Sequence, residues 1–169
     1  MHHCQPIVAA MSQPPAYHGA RSPASESTLR AALIAFAVVD LGLALFMALS
    51  PGAFFRAIGP FGASNAHYIR DVATFYAAIG LALAVAVKRP SWRVPAVAVS
   101  TVQFALHTLN HLLDIGKAHP AWTGYADFFS LLAGTAALAW VWRMAAKAER
   151  TGPPLPLAAP LPITQRSPT

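Results

Sequence analysis

The chain has 169 residues, of which 56% are hydrophobic and only 11% are charged. An ordinary globular domain carries about 25% charged residues, so this composition excludes a soluble domain and predicts an integral membrane protein. The formal net charge of +6 would suit a nucleic-acid ligand, but most of the basic residues flank apolar runs, so we exclude nucleic acid as a partner.

The two ends of the chain differ in composition from its middle. Residues 1–28 are rich in proline and serine, and residues 151–169 contain six prolines and a single charge, Arg166. Both ends are therefore predicted to be disordered tails. The only cysteine, Cys4, lies in the first tail, which excludes an internal disulfide and any site built on several cysteines.

Four apolar runs lie between the tails, at residues 29–49, 68–87, 94–113 and 125–142. A helix needs about 20 residues to cross the hydrocarbon core of a bilayer, so each run is predicted to span the membrane. A short interfacial helix and a tight turn are expected between the first two runs. The predicted fold is all-α, an integral membrane four-helix bundle over residues 29–150.

The basic residues predict the orientation of the bundle, since cytoplasmic loops carry an excess of Lys and Arg. Nine of the twelve lie on the side shared by both termini and by the loop after the second run, and the other side has only Arg56, Arg70 and Lys117. We therefore predict a multi-pass protein of the cytoplasmic (cell) membrane with both the N and C termini in the cytoplasm.

Polar side chains inside the spans are the candidate functional residues, because charge in hydrocarbon is costly and faces a partner or a cavity. Spacings of three and four in the third run place its polar residues in one stripe. We expect this stripe to point into the bundle: Ser100, Gln103, His107, Asn110, His111 and Asp114. The other runs contribute His67 and Asp71 on one face, Asp127, and Asp40.

The depths of these residues predict a single cluster. At a rise of about 1.5 Å per residue, five of them lie at the outer membrane boundary, namely His67, Asp71, His111, Asp114 and Asp127. Three others continue the cluster inward, namely His107, Gln103 and Asp40. The sequence thus predicts a buried His/Asp cluster near the outer face.

Three chemical interpretations of the cluster remain open. His107 and His111, four residues apart, can bind one divalent metal ion with Asp114 as a further ligand. The cluster can also relay protons or form the polar wall of a quinone or lipid pocket, since histidine titrates near neutral pH. The favoured interpretation is structural: the polar groups hydrogen-bond one another and set the register of the helices.

Three stretches resemble the small DoxX-like membrane proteins and their uncharacterised relatives. They are Gly59-Pro60-Phe61-Gly62, His67-Tyr-Ile-Arg-Asp71 and His107-Thr-Leu-Asn-His111-Leu-Leu-Asp114. The resemblance covers residues 30–147 and implies a compact four-helix bundle. For some members it implies an association with quinone-linked oxidoreductases. It assigns no catalytic residue to this chain.

The favoured function is a small multi-pass membrane protein that acts as a subunit or accessory factor, and the sequence assigns it no specific reaction. A quinone- or metal-linked oxidoreductase component is the first alternative, and a small proton-coupled transporter is the second. The strong charge bias and the lack of a visible internal repeat argue against the transporter. We expect the lipid bilayer as partner, with other membrane proteins or a second copy of the chain as further candidates.

Overall fold

A computed structural model describes residues 23–151 of the chain, and this range is all-α. It contains four long helices and one short helix: α1 (Pro23–Leu49), α2 (Pro51–Ala57), α3 (Ala66–Lys88), α4 (Arg93–Leu113) and α5 (Ala121–Arg150). A three-residue 3-10 turn, Pro90–Trp92, joins α3 to α4. The short α2 and the turn that follows it agree with the interfacial helix predicted between the first two runs.

Two of the long helices extend beyond their predicted bounds. Helix α1 is already helical at Pro23, six residues before the predicted Leu29, so residues 23–28 are not part of a disordered tail. Proline is tolerated in a first helical turn, and Glu26 in that turn has a partner on another helix. Helix α5 runs from Ala121 to Arg150 and exceeds the predicted run at both ends. The remaining parts of the predicted tails, 1–22 and 152–169, lie outside the described residues.

Three helices of the described range are long and apolar enough to cross a membrane, namely α1, α3 and α5. Helix α4, which carries the polar stripe, is not among them. Its 21 residues are nevertheless enough for a span by length. The number of membrane crossings therefore depends on α4.

All four long helices share an apolar core at the end of the bundle where α3 meets α4. Its buried side chains are Leu29, Leu33, Ala37, Leu83, Ala86, Ala96, Val97, Phe104, Leu138, Val141 and Ala145. A second apolar cluster lies between α1 and α3 nearer the other end, and it contains Ala44, Met47, Ala73 and Tyr76. Gly80 lets these two helices approach closely, because a Cβ atom there would lie 2.8 Å from the Leu41 side chain.

A buried ion pair holds the start of α1 against the junction of α3 and α4. The guanidinium group of Arg93 donates two hydrogen bonds to the Glu26 carboxylate, at 2.6 and 2.9 Å. Its Nε donates a third to the carbonyl oxygen of Ala86, at 3.3 Å. Only 6% of the Arg93 side chain is exposed, so this bidentate pair connects three helices at one end of the bundle.

Two loops meet at the opposite end of the bundle. An isolated antiparallel bridge joins Phe61 to Ala118, and the backbone N–H of His119 donates to the carbonyl oxygen of Pro60 at 3.2 Å. Gly124 at the start of α5 allows the second loop to lie close, since a Cβ atom there would overlap the backbone oxygen of Ile115. These contacts close the end of the bundle.

Replacing Glu26 with Gln is expected to destabilise the protein by about 1–3 kcal/mol, because Arg93 loses the counter-charge to which it is hydrogen-bonded. The measurement is the free energy of unfolding of the purified protein in detergent. The matched control is Glu149→Gln, since Glu149 is exposed on the last turn of α5. Equal stability of the two variants would show that the buried pair does not hold α1.

Candidate functional site

A cavity of about 370 Å³ lies between the four long helices, beneath α2 and the loop that follows it. Most of its wall is apolar, formed by Leu43, Met47, Phe54, Ile58, Gly59, Phe61, Val72 and Leu131. Polar side chains from three helices complete it, namely Tyr76, His107, His111, Asp127 and Ser130. An enclosed apolar space with a few convergent polar groups is typical of a small-molecule site.

The two histidines of the cavity lie on successive turns of α4. The ring centroids of His107 and His111 are 4.7 Å apart, with the rings nearly perpendicular. The ring of Phe61 packs edge-on against His111, with the centroids 4.9 Å apart. The loop that carries Phe61 is bridged to the loop before α5. The contact between Phe61 and His111 therefore depends on how these two loops pack together.

Two polar atoms at the cavity have no hydrogen-bond partner within the described residues. They are Nδ1 of His111 and Oδ2 of Asp127, and both are buried. A buried polar atom without a partner costs about 1–3 kcal/mol. A bound molecule that supplies complementary groups would recover this cost, so these two atoms are the candidate polar contacts of the site.

A second set of polar side chains, the deep polar group, lies farther inside the bundle and consists of Asp40, Tyr76 and Gln103. Asp40 is only 1% exposed, and neither of its carboxylate oxygens has a hydrogen-bond partner; the same is true of Oε1 of Gln103. The side chain of Tyr76 lies beside both of them. Since Tyr76 also lines the cavity, it connects the deep polar group to the polar side chains of the cavity wall.

Several of the predicted site residues do not line the cavity, and this part of the prediction is corrected. His67 and Asp71 pair with each other at 3.4 Å on an exposed surface, with 80% and 54% of their side chains accessible. Asp114 pairs with Lys117 at 2.6 Å, although it remains close enough to His111 to interact with it electrostatically, and Asn110 of the polar stripe is exposed. At the ends of helices these charged groups form ion pairs with residues three or four positions away in the chain. They therefore do not require partners in the interior of the bundle.

The orientation of α4 also differs from the expectation that its polar stripe forms the inner face. The most buried positions are Arg93, Ala96, Val97, Ser100, Thr101, Phe104 and Thr108. At 100° per residue this face lies about 70° from the centre of the polar stripe. The stripe therefore borders the buried face, which leaves Asn110 outside while His107 and His111 reach the cavity.

The predicted metal ligands do not converge. His107 and His111 are neighbours, but the carboxylate of Asp114 is held by Lys117. No group of three or more His, Cys, Asp or Glu side chains that could hold a metal ion occurs within residues 23–151. Nothing in the geometry of the described residues favours the metal interpretation over an organic ligand.

The sequence analysis did not identify two residues that shape the site. Tyr76 joins its two polar groups, and Phe61 packs on His111. The signal for Tyr76 was a tyrosine inside an apolar span, where its hydroxyl group needs a partner. Phe61 could not be identified in this way, because its contact depends on how two distant loops meet.

Comparisons with models of known protein families, with curated proteins and with solved structures found no match. The resemblance to DoxX-like proteins therefore stays a prediction that depends on the sequence stretches alone.

The geometry predicts that His111 and Asp71 contribute independently to stability. The free-energy changes of His111→Ala and Asp71→Ala are expected to add in the double variant, since the two side chains share no partner. The matched positive control is the pair Thr108 and Thr135, whose hydroxyl oxygens are 2.9 Å apart. Their coupling should be about 0.6 kcal/mol, the average for polar pairs between membrane helices.

Unfolding titrations of the four single variants and the two double variants in detergent measure both couplings. A clear coupling between His111 and Asp71 would contradict the exposed position of Asp71. It would restore the single cluster that the sequence predicts.

Proposed function

We propose that α4 is a fourth membrane span and that the protein is a four-helix integral membrane bundle. Its 21 residues give a length of about 31 Å, close to the thickness of a bilayer core. One side of α4 is apolar and exposed, with Val99, Leu106 and Leu113 more than half accessible. Lipid is the environment that suits this face, while the polar residues border the protein interior.

The proposal places both termini in the cytoplasm and the protein in the cytoplasmic (cell) membrane. Its support is the distribution of Lys and Arg, nine on the side of the termini and three on the other. In this orientation the Glu26–Arg93 pair lies at the cytoplasmic end. The cavity then opens at the level of the outer leaflet.

The function that the site supports best is the binding of a small amphipathic molecule, and the proposed role is an accessory factor or subunit without a catalytic step of its own. The observation that carries this proposal is the apolar cavity with the unpartnered His111 Nδ1 and Asp127 Oδ2 in its wall. A quinone and its quinol fit this chemistry, because a quinone oxygen accepts a hydrogen bond from the Nδ1–H of His111, a quinol hydroxyl group donates one to Asp127 Oδ2, and the tail is apolar. The resemblance to DoxX-like proteins implies the same ligand class.

The lining residues also suit a ligand that arrives through the membrane. Val72 of α3 and Ser130 of α5 both line the cavity, and both are exposed. The cavity is therefore connected to the surroundings of the bundle at these positions. A lipid-soluble molecule can enter there without crossing water.

Purified full-length protein is expected to bind decylubiquinone saturably, as measured by quenching of its tryptophan fluorescence or by equilibrium dialysis in detergent. His111→Ala should weaken binding by about 2- to 10-fold, since one hydrogen bond contributes about 0.5–1.5 kcal/mol. Leu131→Trp should weaken it further, because the larger side chain fills part of the cavity.

The matched control is Asn110→Ala, next to His111 but exposed, which should leave the affinity unchanged. An equal loss in Asn110→Ala and His111→Ala, or no saturable binding by the parent chain, would refute a quinone site in this cavity.

A further inference from the structure

The deep polar group contains a carboxyl group for which residues 23–151 provide neither a counter-charge nor a hydrogen-bond donor. Asp40 lies near the middle of α1 and is 1% exposed, and neither of its oxygens accepts a hydrogen bond. Within residues 23–151 the ion pairs involve other carboxylates, those of Glu26, Asp71 and Asp114. An isolated carboxylate in such surroundings is very costly, and buried acids become neutral instead.

The neighbours of Asp40 indicate how it is neutralised. Tyr76 comes from α3 and Gln103 from α4, and neither can carry a positive charge. Gln103 Oε1 is itself an acceptor without a donor. A carboxylate has only acceptors, but a protonated carboxyl group has one donor, so a single proton removes the charge of Asp40 and gives its side chain a hydrogen-bond donor.

We propose that Asp40, with Tyr76 and Gln103, forms a proton-binding site inside the membrane, and that Tyr76 connects this site to the outer cavity. Binding consists of the addition of one proton to the carboxylate, with no further bond made or broken. The hydroxyl group of Tyr76 lies beside Asp40 and Gln103, and Tyr76 is also a lining residue of the cavity. The other titratable groups at the cavity are His107 and His111 of α4 and Asp127 of α5.

Infrared spectroscopy of the purified full chain tests the proton on Asp40 directly. With aspartate labelled by carbon-13 at the side-chain carboxyl, the protein at neutral pH should show the carbonyl band of a protonated acid. Asp40→Asn should weaken this band, and the double variant Asp40→Asn/Asp127→Asn, which also removes the other unpartnered aspartate, should lose it. The matched control is Asp71→Asn, which should keep it because Asp71 is exposed and paired with His67.

Two further variants keep the test decisive. In Asp127→Asn a labelled protonated-acid band should remain and is assigned to Asp40, because Asp71 and Asp114 are both ion-paired. This variant tests the proton on Asp40 even where Asp40→Asn does not fold. In Tyr76→Phe the deuterium shift of the band after transfer to heavy water should be slower, since the connecting hydroxyl group is gone.

The absence of any protonated-aspartate band in Asp127→Asn would overturn the proposal, as would a band that persists in the double variant Asp40→Asn/Asp127→Asn. An unchanged exchange rate in Tyr76→Phe would overturn the connection through Tyr76. None of these measurements depends on quinone binding, so the two proposals can fail separately.

Discussion

An apolar exterior is the constraint on which the rest of this structure depends. Large hydrophobic side chains are exposed along every long helix, among them Leu45, Phe75, Leu106 and Phe129. In hydrocarbon no water is present to hydrogen-bond a polar group, so such groups must find partners within the protein or at the membrane boundary. The polar residues of the described range meet this constraint to different degrees. Those at helix ends pair locally, as His67 with Asp71, while those farther along the helices line the cavity or the space beneath it.

The two ends of the bundle have different roles. At one end the four long helices share a continuous apolar core, and the Glu26–Arg93 pair holds α1 against the junction of α3 and α4. At the other end the space between the helices is only partly filled, which leaves the cavity under α2. The packed core at the first end lets the second end keep a defined cavity with buried polar atoms that have no partner among residues 23–151. Those atoms are where a ligand or a proton gains most from binding.

Much of the helical architecture could be predicted from the sequence, because runs of about 20 apolar residues dominate it. The start of α1 could not, since its first turn is polar and is held by Arg93, which lies 67 positions away in the chain. For the site, helical spacing correctly placed His107 and His111 side by side. It could not show how α4 is rotated against its neighbours, so Asn110 and Asp114 were grouped with them. The role of Tyr76 depends on packing between three helices, which no periodicity within one segment describes.

The central claim is that α4 crosses the membrane. It is tested most directly by finding the side of the membrane on which the loop between α4 and α5 lies. In a Cys4→Ser background, single cysteines replace the exposed residues Ala63, Ser91 and Gly116, and a membrane-impermeant maleimide is added to intact cells. The account predicts labelling at positions 63 and 116 from outside, and at position 91 only after the membrane is permeabilised. Labelling of positions 91 and 116 from the same side would contradict it, because α4 would then not cross the membrane.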